Sequence, residues 1–135
     1  MKFEKDDDGK IKQIPETLYE CFIVLDDMEI SDINEWLKYK EDKALGISHN
    51  GIGRWIRNNW GLWSDCKLKK WFENNEVKHP DDMSSIILTA YHRIKNNKEL
   101  KLESLFDYYI EYNLSDKQKL LRKRRKKLKV INYVL

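Results

Sequence analysis

The sequence has few of the residues that build metal, redox or disulfide sites. Only 2 of its 135 residues are cysteine, and Cys21 and Cys66 have neither Cys-x-x-Cys spacing nor histidines close to them in sequence. We therefore predict no metal site and no disulfide, and expect two free thiols in a reducing compartment. The strings His-Glu-x-x-His, Gly-Lys-Ser/Thr and Gly-x-Ser-x-Gly are also missing, so no familiar enzyme signature and no cofactor is predicted.

Long apolar runs are missing as well. The longest, Cys21 to Leu25, is far shorter than the roughly 20 residues that span a membrane, and the residues after Met1 are charged where a signal peptide would be apolar. We therefore expect a soluble, cytoplasmic protein without a membrane partner. An apolar content of 41% in 135 residues suffices for one compact domain, and no Gly/Ser-rich linker or repeat divides the chain.

Charge is unevenly distributed along the chain. The formal net charge is +3, but residues 115–135 contain nine Lys and Arg against one Asp, or +8, which leaves −5 for residues 1–114. An acidic body thus carries a basic tail. The segment Lys117–Lys129 would attract a polyanion, so nucleic acid is one partner that it could bind and an acidic protein surface is another. The same charge run is also compatible with a solvated helix face.

The spacing of apolar residues predicts an all-α protein with a single compact domain of five or six helices. Residues 15–113 form this domain, residues 1–14 a leader or a small hairpin around Asp8-Gly9, and residues 114–135 a basic C-terminal helix or tail. Ser31 is predicted to cap a helix that continues to about Asp42, and Ser64 to cap a short helix.

An unusual mixture of side chains fills residues 49–63, which include three Trp, two Arg and three Asn. Such groups are costly to bury without partners, so this density indicates a built site or a tight polar core. A helix from about Gly51 to Trp60 would place Asn59 on the apolar face, which predicts an inward, hydrogen-bonded amide. The same face predicts that Trp55, Trp60 and Trp63 are mostly buried.

The opposite side of that helix would carry Arg54, Arg57 and Asn58. Guanidinium groups beside the Gly51-x-Gly53 pair could bind a phosphate or carboxylate, whereas an ion pair with Asp81 or Asp82 would lock two helices together. We predict that at least one arginine is paired in this way and that the other is left for a ligand.

A second string, His79 to Ser84, supplies the best internal partner for the first. His79 and Pro80 are predicted to begin a helix whose first turn contains Asp81 and Asp82, where carboxylates oppose the positive end of the helix. The candidate ligand-binding residues of the two strings are His49, Arg54, Arg57, Asn58, Asn59, His79, Asp81 and Asp82.

Three functions are compatible with these residues. The favoured hypothesis is a non-enzymatic binding protein that recognises an anionic small ligand or a protein partner. The alternative is an enzyme acting on a phosphoester or nucleotide, in which Arg54 and Arg57 hold phosphate, His49 or His79 is the general acid/base, and Asp81 or Asp82 orients it. The third is a protein that binds nucleic acid through its basic tail. Both histidines are equally suited to capping helices.

Taken together, H-x-G-x-G-x-W-I-R-N-x-W-x-L-W at residues 49–63 and H-P-D-D-M-S at residues 79–84 resemble a small bacterial domain family of unknown function. The resemblance covers roughly residues 15–97. It implies a bacterial or phage setting and a common site built by the two strings. By analogy, it also suggests a role in bacterial immunity or phage conflict.

Overall fold

The computed structural model describes residues 14–134, with side chains to residue 129, and every regular element in this range is helical. The elements are α1 (Leu18–Asp27), α2 (Ile33–Lys38), α3 (Glu41–Ser48), a π-helical segment (His49–Gly53), α4 (Arg54–Asn59), α5 (Lys67–Asn74), α6 (Pro80–Lys95), α7 (Leu102–Tyr112) and α8 (Asp116–Val134). The predicted all-α class is confirmed, although five or six helices was too few. The hairpin predicted around Asp8-Gly9 lies outside the described residues.

Helix α6 is the centre of the domain, and α1, α3, the π-helical segment, α4, α5 and α7 all contact it. Its apolar residues are buried almost all the way round, as is typical of a helix enclosed by others. The core around it includes Cys21 and Leu25 of α1, Ile56 of α4 and Phe72 of α5, each with no more than 1% of its surface exposed. This central position makes the first turn of α6 a fixed platform for the residues around it.

The first turn of α6 begins where the sequence predicted. His79 is the N-cap residue, and its Nδ1 accepts a hydrogen bond from the backbone N–H of Asp81 at 3.1 Å. Pro80 occupies the first helical position, where its missing N–H costs nothing. Asp81 and Asp82 follow in the first turn.

Two predicted helix boundaries were wrong. The stretch from Ser31 to Asp42 is two helices, because Tyr39 is extended (φ −69°, ψ 154°) and turns the chain between α2 and α3. This turn lets the indole of Trp36 donate to the carbonyl of Ala44 at 2.9 Å. Helix α5 is capped by Cys66, whose Sγ accepts from the backbone N–H of Lys69, because Ser64 is used in the preceding turn.

Both cysteines are free thiols. Cys21 is completely buried in the core, and this burial raises the pKa of its thiol well above the ordinary value. The thiolate that reacts with oxidants and metals is therefore disfavoured at Cys21. Among residues 14–134, no group of three or more His, Cys, Asp or Glu side chains could hold a metal ion.

Among its side chains described up to residue 129, helix α8 is attached to the rest of the protein mainly by charge. Arg122 is 8% exposed, and its Nη2 lies 2.7 Å from Asp107 of α7, while Lys126 Nζ lies 2.8 Å from the same carboxylate. Burial alone would raise the pKa of Asp107, but hydrogen bonds from Lys126 and Arg122 hold that pKa below its ordinary value. Within the described part of the chain, neither α8 nor any other helix has the length and apolar character to cross a membrane.

Deleting residues 115–135 should leave a cooperatively folding domain. Among the side chains described up to residue 129, none of α8 belongs to the hydrophobic core, and Leu120, Leu121 and Leu128 are 50%, 44% and 58% exposed. We expect the deletion to lower the free energy of unfolding by about 2 kcal/mol or less, since partly exposed ion pairs contribute little. Urea denaturation measures this loss, and isoelectric focusing should show a change from a basic to an acidic pI. Loss of the cooperative transition would show that α8 is required for folding.

Candidate functional site

The guanidinium group of Arg57 joins the two strings. Arg57 is 5% exposed, and its Nε lies 3.2 Å from Asp81 Oδ1 in the first turn of α6. Its Nη1 donates to Ser84 Oγ at 2.8 Å, and its Nη2 donates to the backbone carbonyl of His49 at 3.0 Å. One buried side chain thus ties α4 to α6 and to the π-helical segment, so its role here is structural.

Gly53 makes room for this arrangement. A Cβ at this position would lie 3.0 Å from the carbonyl oxygen of Ser48, 3.2 Å from Arg57 Nη1 and 3.6 Å from Leu88 Cδ1. Both of the close contacts are to polar groups that are held in place, so the extra methyl group has nowhere to go. The second glycine of the first string is therefore needed for close packing of the backbone on α6.

Gly53→Ala should destabilise the fold by about 1–3 kcal/mol, because the added methyl group displaces either the Ser48 carbonyl or the Arg57 guanidinium. Gly46→Ala is the matched control, since a Cβ there would meet nothing within 4 Å and position 46 lies inside α3. Alanine at 46 should stabilise the protein by about 0.5–1 kcal/mol. Thermal and urea denaturation of both variants measures the contrast, and equal effects would contradict the proposed role of Gly53.

The two arginines have different surroundings. Arg54 is exposed, and its Nη2 lies 3.5 Å from Asn50 Oδ1. Arg57, which the helical projection placed away from the core, is instead buried against α6. The phosphate clamp considered for Arg54 and Arg57 would need both guanidinium groups at one open site, and Arg57 is already occupied by Asp81.

Asn59 was predicted to point inward, and this prediction was wrong. Asn59 is exposed, and its Nδ2 donates to the carbonyl of Trp55 at 2.9 Å within the same helix. The projection assumed one continuous α-helix from Gly51, but residues 49–53 are π-helical and α4 begins only at Arg54. The kink at Gly51, whose φ of −96° and ψ of −105° are not helical, changes the phase of the residues that follow it.

The three tryptophans of the first string also differ in burial, because they do not lie on one face of a continuous helix. Trp60 is 3% exposed as predicted, but Trp55 and Trp63 are 39% and 56% exposed, so the prediction that they are mostly buried was wrong. The ring of Trp55 lies against that of Trp60, with centroids 6.0 Å apart. The ring of Trp63 lies against His79, with centroids 6.1 Å apart.

His79 and Asp82 line a cavity of about 500 Å³ between the start of α6, the end of α7 and α8. We call it the His79 cavity. Arg122 and Arg125 of the basic tail line it too, together with Lys78. The sequence singled out the second string and the basic tail as separate features, and the fold brings them to one place. The remaining candidates lie elsewhere: the side chain of His49 is half-buried and Asn58 is exposed.

Arg122, one of the residues that line the His79 cavity, has one hydrogen-bond donor without a partner among the described residues. Its two terminal nitrogens lie within 2.7–3.6 Å of carboxylates of Asp107, Glu111 and Glu76. Its Nε is buried and has no hydrogen-bond partner in the described part of the chain. A buried donor without an acceptor costs about 1–3 kcal/mol, so an acceptor at this position would stabilise the protein.

Asp82 lies on the same wall of the His79 cavity. Burial raises the pKa of its carboxyl group, and a hydrogen bond from Asn113 Nδ2, at 2.9 Å, offsets part of that rise. The lining of the cavity contains three cations, Lys78, Arg122 and Arg125, and two carboxylates, Glu76 and Asp82. Within the lining alone the excess is one positive charge, which Asp107 and Glu111, paired with Arg122 from outside the lining, reduce, and it grows when Asp82 is protonated.

The first string and the first turn of α6 both lie within a segment that matches a known family model. Comparisons with curated proteins and with solved structures gave no match. The matched segment, residues 14–95, is more than half of the chain and corresponds to DUF6794, a domain of unknown function, and the chain belongs to this family.

Proposed function

We propose that this protein is a non-enzymatic binding protein that recognises an anionic small ligand in the His79 cavity. The observation that carries the proposal is that Arg122 lines a cavity of about 500 Å³ and that its buried Nε has no hydrogen-bond partner among the described residues. A ligand oxygen is the group that such a donor binds best. A bacterial, cytoplasmic setting in immunity or phage conflict belongs to this proposal, and the free thiols fit a reducing compartment.

The charges of the lining favour an anion. Lys78 and Arg125 have no ion-pair partner among the described residues, so they are available to a ligand, while Arg122 is balanced by its three carboxylates. Trp63 adds exposed aromatic surface beside His79, which lines the cavity. A ligand with one phosphate or carboxylate group and an apolar part fits this combination.

His79 is better suited to binding than to catalysis. Its Nδ1 accepts the N–H of Asp81, which places the proton of the neutral ring on Nε2. The ring therefore offers a donor to an anion and lacks the free base that phosphoester hydrolysis would need. Arg54 and Arg57, which the enzyme hypothesis required together, have different surroundings.

Arg125→Gln should weaken the binding of phenyl phosphate about tenfold, because one charge-assisted hydrogen bond is lost. Arg124→Gln is the matched control: it changes the net charge equally, and residue 124 does not line the cavity. Titration calorimetry of both variants and the parent protein measures the difference. Equal weakening by both variants would show that only net charge matters, and no binding by the parent protein would overturn the proposal.

The binding of phenyl phosphate should also strengthen as the pH is lowered and Asp82 becomes protonated. Because burial raises the pKa of this carboxyl group, it loses its negative charge at a higher pH than an exposed aspartate does. The lining then becomes more positive, and the affinity for an anion rises. Asp82→Asn should remove this part of the pH dependence.

A second function, nucleic-acid binding by α8, is favoured by a separate observation. Of the nine cations in Lys117–Lys129, only Arg122 and Lys126 have carboxylate partners within residues 14–134. Seven exposed cations along one helix could contact phosphates without reading sequence. Affinity for unrelated DNA and RNA should then fall steeply with salt and be lost on removal of residues 115–135. Arg124→Gln should weaken this binding without affecting phenyl phosphate, which separates the two functions.

A further inference from the structure

A second cavity, of about 380 Å³, lies on the π-helical segment and shares no lining residue with the His79 cavity. We call it the Trp36 cavity. Gly51 and Ile52 of the first string and Ser48 at the end of α3 form part of its lining. All of its lining residues fall within 14–95, the segment that matches the family model. Its volume is within the range of ordinary small-molecule sites.

Aromatic rings form one wall of the Trp36 cavity. The rings of Trp36 and Tyr91 lie 6.4 Å apart at an interplanar angle of 27°. Their polar atoms are already paired, since Trp36 Nε1 donates to the Ala44 carbonyl at 2.9 Å and the Tyr91 hydroxyl donates to Asp26 Oδ1 at 2.6 Å. Tyr91 is 2% exposed and supports the Trp36 ring from behind, so what the pair offers a ligand is the exposed aromatic surface of Trp36.

Two carboxylates, Asp32 and Glu35, complete the lining. Both side chains are exposed, and neither has a hydrogen-bond or ion-pair partner among residues 14–134. Asp32 is the N-cap residue of α2, in a left-handed conformation with φ 60°, yet its carboxylate makes no capping hydrogen bond. Both negative charges are thus available at the edge of an aromatic cavity.

The lining contains no Lys or Arg to balance these charges. Lys38 lies with Asp32 and Glu35 in the neighbouring groove, so it reduces the negative potential outside the cavity without entering it. Lys43 shows that the local rings attract cations, since its Nζ lies 4.5 Å from the centroid of Tyr39. Aromatic faces and free carboxylates together favour a positive charge attached to an apolar group.

We propose that the Trp36 cavity binds an organic cation, with the apolar part of the ligand against Trp36 and its ammonium group at Asp32 and Glu35. The ammonium group could belong to a free amine or to a lysine side chain of another protein. This site is independent of the anion site of the His79 cavity.

Phenethylamine and phenethyl alcohol are matched probes, because they share a ring and differ in the charged group. We expect the amine to bind the full-length protein at least about tenfold more tightly than the alcohol. It should shift the methyl NMR signals of Ile33, Ile47 and Ile52, which line the cavity, and leave that of Ile110 unchanged. Equal affinities, or shifts confined to other methyl groups, would overturn the proposal.

The second part of the test removes the negative charges of Asp32 and Glu35. Asp32→Asn combined with Glu35→Gln should weaken amine binding about tenfold or more, and both positions are exposed, so the variant should fold. Asp65→Asn combined with Glu73→Gln makes the same charge change at exposed positions outside the cavity and should have little effect. Equal losses in the two variants would exclude a specific site. Nα-acetyl-lysine methylamide distinguishes the sources: tighter binding than phenethylamine identifies a lysine side chain, and weaker binding a free amine.

Discussion

Arg57→Met should lower the free energy of unfolding by about 3 kcal/mol or more. The substitution keeps much of the apolar stem but removes the guanidinium group that bonds Asp81, Ser84 and the carbonyl of His49. Arg57 is 5% exposed, so water cannot easily replace it at these partners. The contacts between the π-helical segment, α4 and the start of α6 should loosen together. Urea denaturation followed by circular dichroism gives the loss.

Substituting one partner of Arg57 at a time shows how much each contact contributes to the free energy of unfolding. The side chain of Asp81 is 43% exposed, so Asp81→Asn should cost about 1 kcal/mol or less. Ser84→Ala should cost about 1 kcal/mol, since Ser84 Oγ also donates to the Asp81 carbonyl. A loss below about 1 kcal/mol for Arg57→Met would show that this arginine is dispensable for folding and would make it available again as a ligand-binding residue.

Local signals in the sequence were sufficient to place α6. His79, Pro80 and the two aspartates that follow are each favoured at a helix start for a separate reason, and the apolar residues behind them repeat over four turns. Such signals depend only on neighbours along the chain. The N-cap, the first turn and the buried stripe could therefore all be predicted without knowledge of the fold.

The orientation of α4 could not be predicted in the same way. A projection at about 100° per residue is valid only inside an unbroken α-helix. Gly51, at φ −96° and ψ −105°, leaves the helical conformation, and the π-helical segment around it rotates α4 relative to the projection. As a result of this rotation, Arg57 is buried and Asn59 is exposed, the reverse of what the projection predicted. Asn50-Gly51 is a local signal for a break in the helix, but it does not determine the angle through which α4 is rotated.

The His79 cavity depends on contacts between distant parts of the chain. Lys78 and Asp82 are more than 30 residues from Arg122 and Arg125, and the only sign of the latter in the sequence was a charge run. Whether such a charge run is exposed to solvent or packed against the protein depends on where its carboxylate partners lie in the fold. Here Asp107 and Glu111 are one turn apart on α7 and both contact Arg122, which holds the start of the basic helix against the cavity.

Trp60→Ala should destabilise the protein by about 3–5 kcal/mol, because it removes a large buried side chain and leaves a cavity that the surrounding helices cannot close. Trp60 is 3% exposed and belongs to the core cluster around α6. Trp63→Ala is the matched control, and its 56% exposure predicts a loss of about 0.5 kcal/mol or less. Trp55→Ala should fall between them, because Trp55 is 39% exposed and its ring packs on that of Trp60.

Chemical denaturation of the three variants gives this order. A loss below about 1 kcal/mol for Trp60→Ala would remove it from the core, whereas a large loss for Trp63→Ala would mean that Trp63 supports the fold and is not a ligand-binding surface beside His79.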